Sequence, residues 1–442
     1  MNRLAKAKAY FLPKLRQVGH FVLKQGLAIS CNLLYGLLCV RLLPVPEYAK
    51  FAVLFGFMGS LTVLLDVGVS ATLAPLVGDQ ITNLQLIADY VASIRRLAVR
   101  VYLFVIPLAI PAFFFLVRKQ SWGFWVVAQM VAVLIFTAWF ARVSGCYGAV
   151  LILRRDRSYY YRMQILGSLG SLLLLALLWA CHSVNIYVCV LLNVAQTLFI
   201  AISYYRRAKF LLGVKGRGSR ASEKLIIRLA LPNMPDTLFY AMQGQITLML
   251  ITLVGHTSGV ASVGALNRIS QILVFASQMN PILIEPFVAR LPVARVKRTY
   301  LLIAGIVGIG TAGFVSLAFF FPELFLWILG PHYKQLRIEV ALVVLASGIR
   351  YFAGVLWIMH SARRFIYMWV SITNISCTLL IQAYFIATHD LSTVRGVVLL
   401  NVYSACVALG VIIAAGIYGF WHGPQKMDQI ASSEPVPAGD SA

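Results

Sequence analysis

The ionisable side chains set within long apolar runs are the first candidates for chemistry: Lys24, Asp66, Arg268, Glu285 and Arg350. Asp66 lies in LTVLLDVGVSATLAPL (61–76) and is followed closely by Gly68 and Ser70. That spacing allows a helix bend in which the carboxylate caps freed amides. It equally allows an ion pair with Lys24, structural or as part of a titrating switch in which Lys24 touches a phosphate. Arg268 and Arg350 have no acidic residue at a matching depth on their own helices; Glu285 lies to one side and Glu339 near the opposite end. Two unpaired guanidiniums facing a water-filled cavity suit a pyrophosphate, because arginine offers a planar fork of donors. Against this, Arg350 could serve backbone carbonyls or snorkel. Asp66 and Glu285 are the candidate coupling or structural carboxylates.

The elements that must position these groups are transmembrane helices. Of the residues, 60% are hydrophobic and 12% charged, against about 25% charged in soluble domains. Apolar runs long enough to cross a ~30 Å hydrocarbon layer recur throughout. They fall near 18–40, 50–76, 97–117, 122–150, 163–181, 184–205, 230–254, 259–288, 300–321, 338–360, 366–388 and 396–420. The expected fold class is an all-α polytopic membrane protein of 12 transmembrane helices. The LAISC stretch (27–31) belongs to a retained first helix and not to a cleaved signal, because the run continues beyond it.

The net charge of +24 is distributed by side. Only Arg41, Lys50, Arg118, Lys119, Lys334, Arg337 and Arg395 fall in one set of alternate loops; nearly all other Lys and Arg, Arg142 among them, fall in the opposite set. That asymmetry places the basic side and both termini in the cytosol, and it accounts for the charge without nucleic acid as a partner. Along helices of ~1.5 Å rise, Asp66 lies about 24 Å from Lys50 and Lys24 about 9 Å from the opposite face, so the two could meet in the cytosolic half. The expected organisation is an N-terminal six-helix lobe (1–205), a basic, Gly- and Ser-containing mobile linker (206–228), a C-terminal six-helix lobe (229–421) and a disordered polar tail (422–442). Segments 42–57 and 254–272 each join a helix pair by a short outer turn, a weak internal repeat.

Other chemistry is poorly supported. The seven cysteines have no ligand-like spacing, and no HxxxH or His-carboxylate spacing marks a metal site. No phosphate-binding loop is present, so ATP is not the direct driver, and no cofactor is expected. The prolines of MNPILIEPF (279–287) require a bend or break. SYYYR (158–162) reads best as part of an aromatic belt.

The first helix pair resembles polysaccharide flippases of the Wzx type, within the multidrug/oligosaccharidyl-lipid/polysaccharide exporter superfamily. The resemblance rests on Arg41-Leu42-Leu43-Pro44 with Glu47-Tyr48-Ala49, on Leu65-Asp66-Val67-Gly68-Val69-Ser70, and on Leu231-Pro232-Asn233. Gly264-Ala265-Leu266 lies where those proteins place a turn into helix eight. It departs from them in AMQGQITLML (241–250), where many relatives carry an acid and this chain has Gln243 and Gln245. The resemblance implies two six-helix lobes around a central cavity in the bacterial inner membrane. Its implied cargo is an undecaprenyl-pyrophosphate-linked oligosaccharide, moved for surface polysaccharide biosynthesis while its tail stays in membrane lipid. It leaves room for a polysaccharide polymerase and a chain-length regulator as partners. A drug or cation exporter of the same superfamily is the alternative, and a membrane polymerase or acyltransferase a more distant one.

Overall fold

A computed structural model describes residues 26–422 except 67, 79, 81, 232, 233, 278, 290, 292, 364 and 366. Among these residues there is no strand. Ten helices are long and apolar enough to cross a membrane: α2 (Val45–Asp66), α4 (Leu84–Val117), α5 (Phe124–Leu153), α6 (Arg157–Ala180), α7 (Ile186–Leu212), α10 (Thr257–Ser277), α12 (Val293–Phe320), α14 (Arg337–Ala362), α15 (Met368–Thr388) and α16 (Val394–His422). Two shorter apolar helices, α1 (Gly26–Leu42) and the Gln245–Val254 part of α9 (Met234–Val254), complete 12 spans in two six-helix lobes. Short helices α3 (Leu73–Val77), α8 (Arg220–Ala230), α11 (Asn280–Ala289) and α13 (Pro322–Leu329) lie between them.

Helix ends follow local chemistry. Asn83 Oδ1 accepts from Leu86 N at 3.1 Å to start α4, and Asn185 Oδ1 accepts from Val188 N at 3.0 Å to start α7. Such caps satisfy amides that the helix itself leaves free. Glu47 Oε2 accepts from Ile186 N at 3.1 Å, so the Glu47 of the outer turn closes the start of α7. Two expected spans are interrupted. The 50–76 run ends as a helix at Asp66, where Gly68 takes φ +75°. The 259–288 run divides into α10 and α11 at the MNP sequence. Gly264, expected at a turn, lies inside α10.

The halves share one apolar core at the outer end and separate at the cytosolic end. The shared cluster joins Tyr35, Tyr48, Phe51 and Leu54 of the first half to Leu248, Val263, Leu266 and Val344 of the second. At the cytosolic end, one cluster around Leu73, Ile87, Val150 and Tyr204 belongs to the first half. Another, around Val288, Tyr300 and Met359, belongs to the second. Among the described residues, no cluster joins the halves there.

The 206–228 segment is not free. The α7 helix continues to Leu212, and the following strap docks on the cytosolic end of α4. Arg217 N donates to Asp89 Oδ1 at 2.7 Å, Ser219 N to Ser93 Oγ at 3.1 Å, and Arg96 to the Gly218 and Arg217 carbonyls at 3.0 and 2.9 Å. Arg100 pairs with the buried Glu223 of α8 at 2.6 Å. The tyrosines of SYYYR likewise pack inward: Tyr160 stacks on Tyr204 at 4.9 Å and Tyr161 is buried, filling the α6–α7 seam. The 423–442 tail and residues 1–25 lie outside the described residues.

Candidate functional site

Gly68 at φ +75° adopts a left-handed conformation open chiefly to glycine, and it turns the chain so that Ser70 comes back beside Asp66. Ser70 Oγ donates to Asp66 Oδ1 at 2.6 Å. The expected bend is present, but the carboxylate holds a hydroxyl and a guanidinium where backbone amides were expected. Arg142 Nη1, from the middle of α5, donates to Asp66 Oδ1 and, at 2.9 Å, to Ser70 Oγ. The Arg142 side chain is 4% exposed and that of Asp66 35%. Arg142 is therefore not a cytosolic loop charge but the ion-pair partner of Asp66. Lys24, the partner expected from the sequence, lies outside the described residues.

The unused nitrogens of Arg142, Nε and Nη2, are buried and make no hydrogen bond. Other parts of Arg142 line a mainly apolar cavity of about 210 Å³, together with Arg95, Trp139, Tyr147 and Tyr205.

Arg268 sits where the halves meet. Its guanidinium fills the notch left by Gly36 of α1, where an added Cβ would stand 2.9 Å from Nη1. It lies over the Phe51 ring of α2 at 5.8 Å, and Nη1 donates to Gln271 Oε1 at 3.4 Å. Arg350 lies on α14, which packs along α10, and its Nη2 is buried without a partner. From the outer helix ends at Thr257 and Arg337, Arg268 and Arg350 are about 16 and 20 Å along. Among the described residues, the ion pairs are Arg100–Glu223, Arg142–Asp66, Arg207–Asp156 and Arg337–Glu323. None contains Arg268 or Arg350. The structure thus brings the helices of these two arginines together and places Asp66 elsewhere, in the first half. Glu285 is half-buried on α11, in no ion pair among the described residues.

Several contacts had no signal in residue spacing. Gln120, 4% exposed, clasps the outer end of α9: Nε2 donates to Thr252 O at 2.7 Å and Gly255 O at 3.2 Å, and Oε1 accepts from Thr257 Oγ1 at 3.0 Å. Arg41 adds a cation–π contact to Trp327 at 5.5 Å across the same face. Gly264 packs so close to α2 that a Cβ there would stand 2.5 Å from Ala52 Cβ. In the second half, the fully buried His360 bonds Tyr300 Oη through Nε2 at 2.8 Å. Among the described residues, no group of three His, Cys, Asp or Glu side chains could hold a metal ion.

A helical fold of this kind, with 12 spans in two lobes, is found in solved transporters. An inward-facing MATE family multidrug resistance transporter of the MOP superfamily matches with TM-score 0.64 and 14% identity, over 90% of this chain and 94% of that one. An outward-facing MATE family transporter of the superfamily matches with TM-score 0.55 and 17% identity, over 92% and 94%. The lipid II flippase MurJ, in an inward closed conformation, matches with TM-score 0.65 and 10% identity, over 90% and 87%. At these identities the likeness is one of fold, and the fold is that of MOP superfamily transporters. No family model and no curated protein matches the sequence.

Proposed function

We propose that this chain is a flippase for an undecaprenyl-pyrophosphate-linked oligosaccharide repeat unit, carrying it from the cytosolic to the periplasmic leaflet of a bacterial inner membrane. The observation that carries the reading is the pair Arg268 and Arg350, on packed helices at comparable depth, with no acidic partner among the described residues. A charge at membrane depth costs roughly 2.5–3.5 kcal/mol on insertion scales and is kept where it meets a cavity, a partner or a ligand. Two guanidiniums offer a pyrophosphate a multidentate set of charge-assisted donors. The likeness in fold to a lipid II flippase supports a lipid-linked substrate.

Alternating access supplies the movement. With the apolar core shared at the outer end and divided at the cytosolic end, a head group enters between the lobes from the cytosol while its tail remains in lipid. Residues 1–205 and 229–421 rock as units, and breaking the Gln120 clasp opens the outer face. Lys24 adds a phosphate contact near the cytosolic entrance, Asp66 acts within its Arg142 pair, and Glu285, in no ion pair among the described residues, is the carboxylate for ion coupling. A pyrophosphate leaving an inside-negative cell gains about 4–5 kcal/mol for two charges at 100 mV. Pathway partners are a polysaccharide polymerase and a chain-length regulator, and the product serves surface polysaccharide biosynthesis.

A multidrug exporter is the second reading, favoured by the likeness to MATE transporters. Cationic cargo calls for cavity carboxylates, and the depth of α10 and α14 holds arginines. The test is accumulation of lipid-linked repeat units on the inner leaflet of a deletion strain. Wild type relieves it, whereas folded Arg268→Ala and Arg350→Ala do not. Absence of accumulation, together with altered drug sensitivity, moves the protein to the exporter class.

A further inference from the structure

We propose that Asn32 of α1 and Gln271 of α10 form a sugar-binding pair beside Arg268, holding hydroxyls of the carbohydrate residue linked to the pyrophosphate. This rests on the flippase reading and deepens it: Arg268 takes the charge, and two neutral amides take the hydroxyls next to it.

The register of α1 against α10 places the pair. Gly36 lies against the Arg268 guanidinium, and Gly26 lies against the Phe275 ring, where an added Cβ would stand 3.4 Å from Cζ. Asn32 falls between those two glycines on α1, and Gln271 falls between Arg268 and Phe275 on α10. Arg268, Gln271 and Phe275 are spaced three and four residues apart, so they share the face of α10 that meets α1. Gln271 is about 4.5 Å to the cytosolic side of Arg268 along the helix.

Asn32 opens into a space within the protein. The α1 helix turns Leu27 and Leu34 outward, each 50% exposed. At about 100° per residue, Asn32 lies on the far side of the helix from both. Its neighbours there, Ala28, Tyr35, Gly36 and Cys39, are all buried, yet Asn32 is exposed. An exposed amide among buried positions, about 15 Å from the outer end of α1 at Leu42, faces an internal gap and not lipid.

Hydrogen bonding selects the ligand. Asn32 Oδ1 accepts from Gln196 Nε2 of α7 at 2.9 Å, and that nitrogen also donates to Ser168 Oγ of α6 at 3.1 Å. The Asn32 amide is thereby oriented, while its Nδ2 has no acceptor among the described residues. Gln271 Oε1 accepts from Arg268 at 3.4 Å, and its Nε2 likewise has no acceptor among the described residues. Amides without partners are costly at hydrocarbon depth. Free N–H donors beside carbonyls with spare lone pairs complement hydroxyls, which both donate and accept. Neutral amides match an uncharged polyol, where a cationic cargo calls for carboxylates. Because Asn32 is on the first lobe and Gln271 on the second, a bound sugar bridges the two.

The test is equilibrium binding to the full chain purified in detergent, with undecaprenyl pyrophosphate and undecaprenyl-pyrophosphoryl hexose as the two probes. Wild type should bind the hexose-bearing probe about tenfold tighter, the worth of one or two hydrogen bonds. Asn32→Leu and Gln271→Met, which keep volume and remove the amide, should each cut that preference at least threefold. The double variant should abolish it, and Arg268→Ala should weaken both probes. A loss of folded protein affects both probes equally and leaves their ratio in place. Equal binding of the two probes by wild type, or a preference untouched in both amide variants, overturns the sugar pair and leaves the flippase reading standing. Binding of neither probe by wild type overturns both.

Discussion

Arg142→Ala removes the guanidinium that holds Asp66 and leaves a carboxylate with Ser70 as its remaining partner. Breaking a buried ion pair from one side costs about 3–5 kcal/mol, and the partial exposure of Asp66 lowers that to roughly 2–3. Thermal unfolding in detergent should show this loss for Arg142→Ala and recover about half of it in the Asp66→Asn/Arg142→Ala double variant, with Asp66→Asn alone closing the cycle. Additive losses in that cycle would mean that the two side chains do not act as a pair. The sequence announced Asp66 and the bend at Gly68 because a carboxylate and a left-handed glycine stand out in an apolar run. Arg142 was illegible for a physical reason: near a cytosolic loop rich in Arg, its place in the chain matched the charge asymmetry equally well inside or outside the helix. Only the rotation of α5 decides which. The same holds for Arg268, whose depth could be counted while the Gly36 notch and Phe51 ring beneath it could not.

The strap between α7 and α8 gives the element-scale prediction. A Cβ on Gly216 would stand 1.9 Å from Ala88 O, and Gly218 at φ +44° lies against Ser93. Gly216→Val therefore lifts the strap from α4. Amide hydrogen exchange should be slow over 215–223 in the wild type and about tenfold faster in the variant; fast exchange in both would mean a free linker. The Gly, Ser and Lys content of this segment suggests a solvated chain when read by composition alone. Composition does not register that α4 extends well below its apolar stretch and offers Asp89, Ser93, Arg96 and Arg100 as a docking edge. At the opposite end, Gly264→Leu on α10 drives a side chain into Ala52 of α2. It should wedge the outer halves apart and raise the thiol-reagent accessibility of a cysteine introduced as Tyr48→Cys at a position now fully buried. Unchanged accessibility would place the α2–α10 contact outside the closing mechanism.

The long-range architecture was the most legible level, because twelve apolar runs and a one-sided charge distribution follow from the bilayer itself. Which end of the molecule is closed was not legible, since that depends on contacts between halves remote in sequence, such as Gln120 with Thr252, Gly255 and Thr257. Each of these hydrogen bonds is worth about 0.5–1.5 kcal/mol net. Gln120→Ala should thus shift the population toward an outward-open form by about tenfold or more. Spin-label distances between Arg118 and the exposed Ser258, whose side chain takes no part in the clasp, would lengthen in a larger fraction of molecules; an unchanged distribution would show that the clasp does not hold the state.

The most direct test of the account is flipping in a defined system. Proteoliposomes containing a fluorescent undecaprenyl-pyrophosphate-linked sugar would report its transfer between leaflets, with wild type, Arg268→Ala, Arg350→Ala and the double variant compared at equal reconstitution. The account predicts transfer by wild type, at least tenfold slower transfer in each single variant, and background in the double. Full-speed transfer by the double variant would contradict the claim that a cationic pair between α10 and α14 receives the pyrophosphate.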